Sequence, residues 1–109
     1  MQIVKKNNKI AHKSHGNTQV DEYYMDNKTI DLCVVHINGR APEKGRIVNT
    51  DFSCVCYLLD GTGKFCGQEI TKGDAFNILS NEPYWFEGNF SMTMCGTPAW
   101  NPKQNKVID

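Results

Sequence analysis

Arginine is almost missing from this chain: only Arg40 and Arg46 occur among 109 residues. Nucleic-acid surfaces combine clustered arginine and lysine with interleaved aromatic rings. The lysine-rich start (Lys5, Lys6, Lys9, Lys13) has neither arginine nor aromatic within it, so it reads as a solvated strand and turn. An excess of one charge sign is also lacking. Twelve basic and twelve acidic side chains balance, which excludes the strong field that would gather polyanions or an anionic bilayer. No apolar run approaches the roughly 20 residues that span a membrane, and no apolar segment follows the charges of the first six residues. The expectation is a cytoplasmic protein with no nucleic-acid or membrane partner.

A disulfide framework is missing as well. The five cysteines, Cys33, Cys54, Cys56, Cys66 and Cys95, are an odd number and mostly sit inside apolar alternating stretches, so they read as reduced thiols. Cys54-Val55-Cys56 puts two thiols on one face of a strand without the knuckle turn of a C-x-x-C zinc site, which favours a core role. Helical periodicity is the next absence. Apolar residues recur with period two and turn signals interrupt them every eight to twelve residues, the pattern of an all-β sandwich or barrel of about nine short strands.

Thr29 to Ile37 alternates, and Asn38-Gly39 signals a turn after it. Arg40 to Gly45 forms a loop, Arg46 to Asn49 is extended, and Phe52 to Leu59 is the most apolar strand. Because that strand is apolar on both parities, both faces should be covered, one of them by another element or subunit. This points to a homodimer. Further turns are expected at Asp60-Gly61-Thr62-Gly63, at Gly67 and at Glu87-Gly88-Asn89, between strands ending with Tyr84-Trp85-Phe86 and Phe90 to Cys95. Pro98 and Pro102 around Trp100 predict an extended arm laid over the barrel. One domain over 1–109 follows, with an N-terminal strand region 1–27, a core of about 28–96 and a C-terminal arm 97–109.

The turn Leu59-Asp60-Gly61-Thr62-Gly63, the stretch Gly73-Asp74-Ala75-Phe76-Asn77-Ile78 and the loop Asn81-Glu82-Pro83-Tyr84 resemble the small single-domain cupins in order and spacing across roughly residues 30 to 100. Gly39 to Asn49 and Thr97 to Gln104 are similar to a bacterial subgroup of that family whose members mostly lack an assigned activity. The resemblance implies an all-β, cupin-type double-stranded β-helix, a jelly-roll barrel, with an extended C-terminal arm. Metal-binding cupins carry G-x5-H-x-H-x3,4-E-x6-G and G-x5-P-x-G-x2-H-x3-N. Lining up Gly61 and Gly73 puts Ile47 and Asn49 at the paired histidines, Cys54 at the glutamate and Tyr84 at the last histidine. That set lacks the donors for a divalent ion, so no metal and no other cofactor is expected. His12, His15 and His36 read as surface or structural histidines that nothing forces together.

In such a barrel the inward parity at Asn49, Cys54, Cys56, Tyr84 and Phe86 lines a mostly apolar pocket with a few polar tips, suited to a small organic ligand. Arg46, near the loop into the barrel, offers a guanidinium for a carboxylate or phosphate; alternatively it and Arg40 pair with Glu43, Glu82 or Glu87. The first reading is metal-free binding of a small molecule. A metal-independent isomerase or epimerase is the alternative, with Tyr84 and Glu43 or Glu82 as the acid–base pair. A degenerate metallo-cupin using Cys54 and a distant histidine is a third. No catalytic residue is assigned.

Overall fold

The computed structural model describes residues 1–109. Its strands are β1 (Ile10–Lys13), β2 (Gln19–Glu22), β3 (Asp31–Ala41), β4 (Arg46–Asn49), β5 (Ser53–Phe65), β6 (Gln68–Thr71), β7 (Ala75–Ile78), β8 (Phe86–Thr97) and β9 (Asn105–Ile108). Only two 3-10 turns, Lys6–Asn8 and Pro102–Gln104, are helical, and no helix is long and apolar enough to cross a membrane. The period-two pattern does what it dictates. Along β3, Cys33, Val35 and Ile37 are buried while Leu32, Val34 and His36 are only half covered. Along β5, Cys54, Cys56 and Leu58 are buried and Val55, Tyr57 and Leu59 are not.

The main sheet is antiparallel, in the order β1-β2-β3-β8-β5-β6, and β7 pairs with the first half of β5. β4 and β9 form a second, two-stranded sheet. It is tied back through a bridge in which Ile47 and Tyr84 exchange backbone hydrogen bonds of 2.8 and 2.9 Å. The C-terminal arm is thus more than a cover: β9 supplies half of the second sheet. This is an all-β jelly roll whose two sheets enclose one core.

Three expected turns are instead the places where long strands bend. Asn38-Gly39, Asp60-Gly61-Thr62-Gly63 and Glu87-Gly88-Asn89 all lie inside β3, β5 and β8. Gly39 pairs with Gly88, and Gly88 with Gly63, so one line of glycines crosses three adjacent strands. Glycine lets strands approach and bend at such a corner. A Cβ on Gly88, whose φ is +135°, would stand 2.5 Å from the Gly63 Cα. Within this chain no element covers the outer face of β5, where Val55 is 58% and Tyr57 48% exposed.

The core runs between the sheets and contains the fully buried Cys56, Leu58 and Met92. One part of it is aromatic: Phe65 stacks on Phe76 at 4.2 Å, and Phe86 lies 5.4 Å from Phe65, 5.5 Å from Tyr84 and 5.9 Å from Phe90. Such pairs add to the stabilisation of burial itself, and they fill that region with side chains. The space left over lies on the other side of Tyr84 and Phe86.

Candidate functional site

Past that aromatic cluster the core opens into a cavity of about 80 Å³. Buried apolar side chains, among them Cys33, Val35, Ile37, Ile47, Phe52 and Phe86, make its walls, and exposed His12, Ser14 and Trp100 mark its mouth. Between them stand the polar residues His15, Thr18, Glu22, Asp31, Tyr84 and Asn105. The β1–β2 hairpin brings the first group here: β2 pairs with β3 in a register that sets Val20 and Glu22 beside the inward residues Val35 and Cys33. The arm brings the second. Ala99 donates to the Lys28 carbonyl at 3.0 Å and the Trp100 amide to Asp31 Oδ2 at 2.9 Å, which fixes Trp100 at the mouth.

Behind one wall runs a chain of side-chain amides. Gln104 Nε2 donates to Asn49 Oδ1 at 3.1 Å, and Asn105 Nδ2 donates to the same oxygen at 2.8 Å. Asn49 Nδ2 donates to the Tyr84 hydroxyl at 3.0 Å, and His15 Nε2 meets Asn105 Oδ1 at 2.7 Å. Burial raises the Tyr84 phenol, against a smaller lowering by the Asn49 hydrogen bond, so its proton stays on at any physiological pH.

Two polar atoms of this lining, Thr18 Oγ1 and Glu22 Oε1, are buried without a hydrogen-bond partner. Burial pushes the Glu22 carboxyl up to about 8, reinforced by a hydrogen bond to the neighbouring Asp31 carboxyl and by that group's charge. Glu22 therefore keeps its proton at neutral pH, an acid among apolar walls.

Of the residues expected at the site, Tyr84 and Phe86 line the cavity. Asn49 stands behind it as the hub of the amide chain. Cys54 and Cys56 face the core with their sulfurs 4.0 Å apart and do not reach this cavity; the hydrogen bond with Cys54 and then burial raise the Cys56 thiol. Arg46 is exposed and donates through Nε to the Asp109 carbonyl. Arg40 binds the Pro42 and Gly45 carbonyls and lies over the Trp85 ring at 4.8 Å, pairing with no carboxylate. Glu43 and Glu82 are exposed and absent from the lining, and Glu82 receives the Leu79 amide instead, so neither can act with Tyr84. His12 and His15, read as unconnected, share the cavity. His36 lies outside it, between Ser91 Oγ at 2.8 Å and Asp21 Oδ2 at 3.0 Å.

The side chains at the expected metal positions do not suit a divalent ion. Ile47 has no donor atom, Asn49 spends its oxygen and nitrogen on three hydrogen bonds, Cys54 is committed to the core, and Tyr84 holds its proton. No group of three His, Cys, Asp or Glu side chains converges anywhere in the chain.

No family model matches the chain, nor does any curated protein. Solved structures do. The Streptomyces nucleoside dehydratase Pac13 superposes with a TM-score of 0.84 at 16% identity over 99% of this chain and 91% of its own, and a Pac13 variant has been solved with uridine. The polyketide cyclase RemF of Streptomyces resistomycificus reaches 0.76 at 15% identity, covering 100% of this chain and 86% of RemF. An RmlC-like cupin from Shewanella frigidimarina reaches 0.71 at 14%, over 91% and 92%. At these identities the likeness establishes architecture: the chain has the cupin fold.

Proposed function

We propose that the cavity binds a small organic molecule bearing polar groups, without a metal. The observation that carries this reading is the lining itself, apolar walls with His15, Thr18, Glu22, Asp31, Tyr84 and Asn105 set among them. Those polar side chains offer hydrogen bonds to a ligand's hydroxyl, carbonyl or amide groups, while the apolar walls and Trp100 take the flat or CH-rich part of the molecule. The bound uridine of a Pac13 variant supports a ligand of that character.

A second reading, metal-independent acid–base catalysis, is favoured by Glu22. Isomerisation and loss of water both need a proton donor at one substrate atom and an acceptor at another. The Glu22 carboxyl, which holds its proton at neutral pH, offers the first and a ring nitrogen of His15 on the same cavity offers the second. The uncovered outer face of β5 (Val55, Tyr57, Leu59) supports the companion proposal that two copies pair through it.

The test is a thermal-shift screen of chelator-treated protein against nucleosides, sugars and hydroxylated aromatics. Saturation at 100 times Kd adds about 2.7 kcal/mol of stability. The reading expects at least one class to raise Tm, with the rise lost in Thr18→Val. A shift that requires added divalent metal, or none from any class, overturns it. Proton exchange or new signals in the NMR spectrum of the bound compound in D2O distinguishes enzyme from binding protein.

A further inference from the structure

We infer that the backbone amide of Asp51, acting through Gln104, Asn49 and Asn105, sets the protons of the cavity: neutral His15 carries its hydrogen on Nε2 and leaves Nδ1 as an acceptor, and Tyr84 is left with a hydroxyl hydrogen to donate. The inference deepens the cavity reading, since it states which hydrogen-bonding groups a ligand meets there.

Direction enters the chain at one point. A backbone N–H only donates, and Asp51 N donates to Gln104 Oε1 at 3.2 Å. Gln104 must then present Nε2 to Asn49, whose Oδ1 accepts it at 3.1 Å. With its oxygen so used, Asn49 turns Nδ2 toward Tyr84, and the hydroxyl oxygen accepts at 3.0 Å. Asn105 faces the same Asn49 oxygen at 2.8 Å; two amide oxygens at that distance would repel, so Asn105 offers Nδ2 there and Oδ1 to His15. That oxygen accepts only, and at 2.7 Å from Nε2 it requires the hydrogen on Nε2. Reversing any amide would create a donor–donor or acceptor–acceptor clash along a chain whose middle, Asn49, Gln104 and Tyr84, is buried, so the members act as one unit. The anchor is held as well: the Gln104 carbonyl accepts from the Thr50 amide at 3.0 Å and the Thr50 hydroxyl at 3.2 Å.

The ligand class narrows accordingly. Tyr84 calls for a carbonyl, ether or hydroxyl oxygen, and His15 for an O–H or N–H. Molecules carrying both, such as polyols, nucleosides with an imide ring, or hydroxylated oxo-aromatics, match; hydrocarbons and molecules with acceptors alone do not. Asn49, Gln104 and Asn105 are positioning residues in this scheme, and none of them is offered as a catalytic group.

Long-range proton–nitrogen NMR of the ¹⁵N-labelled full chain at pH 8 reads the tautomer of each histidine directly, with His15→Gln assigning the signal. The expected result is the Nε2–H tautomer for His15. Asn105→Leu is expected to turn it into a mixture, whereas Asn105→Asp keeps the acceptor and retains Nε2–H. An Nδ1–H tautomer in the unaltered protein, or a tautomer unmoved by Asn105→Leu, overturns the inference. The unaltered protein decides the matter even if a variant fails to fold. No ligand is present, so the outcome is independent of the cavity's occupant, and an empty screen would refute the binding reading without touching this one.

Discussion

Replacing Glu22 by glutamine should flatten the dependence of stability on pH. Folding raises this carboxyl from an ordinary value of 4.5 to about 8, chiefly by burial and then by Asp31. The folded state thus holds a proton that the unfolded chain releases. Below pH 4.5 both states are protonated and the contribution is complete; between 4.5 and 8 it declines by about 1.4 kcal/mol per pH unit; above 8 it is gone. The whole interval would amount to roughly 5 kcal/mol, reduced to roughly 2 to 4 because water entering through the cavity mouth screens the ionised form. Glutamine has the shape of the protonated acid and does not titrate. Urea unfolding at pH 5, 6, 7, 8 and 9 should therefore show the unaltered protein losing stability across the range while Glu22→Gln changes much less, the two curves crossing so that the variant is the more stable at pH 9. Parallel curves would refute the argument, because Glu22 would then titrate alike in both states.

Asp21 predicts the opposite slope at low pH: its burial would raise the carboxyl, but hydrogen bonds from His36, Gln19 and Lys9 outweigh it and hold it at about 2, so the stability it adds is present above pH 4 and fades as pH falls toward 2, a fade that Asp21→Asn removes in acid unfolding. Gly88→Ala should cost roughly 3 kcal/mol or more in chemical denaturation, since the methyl meets the Gly63 backbone and the residue's φ is unfavourable for any side chain. Leu58→Ala, at a position with no exposure, should cost about 3 to 5 kcal/mol by the same measurement. Sedimentation should show a dimer that Tyr57→Lys converts to a folded monomer whose Tm no longer depends on protein concentration; a monomeric parent protein would remove the pairing proposal.

Much of the architecture is legible locally. Period two along Thr29–Ile37 and Phe52–Leu59 gives strands, and inward parity within the barrel that the cupin resemblance implies picks out Tyr84 and Phe86, which line the cavity, together with Cys54 and Cys56, which do not. The glycines mislead because a hairpin turn and a strand bend share the same local signature. What separates them is register: Gly39, Gly88 and Gly63 become neighbours only once β3, β8 and β5 are paired. The polar half of the site is illegible for a similar reason. His15 meets Asn105 across 90 positions, and Glu22 enters the cavity only because a short hairpin folds back on β3. One signal was available. Gln19-Val20-Asp21-Glu22 alternates as a strand does, and reading it so would have placed Val20 and Glu22 on one face and Asp21 on the other, toward His36.

The central claim, a metal-free cavity for a small polar molecule, is tested most directly by mapping backbone amide shifts of the chelator-treated, ¹⁵N-labelled protein during titration with uridine and with the best compound from the thermal-shift screen. The account predicts saturable shifts gathered at Thr18, Glu22, Asp31, Tyr84 and Trp100, with the β5 outer face unmoved. Shifts confined to Val55 and Tyr57 on that face, or saturation only after a divalent ion is restored, would contradict it.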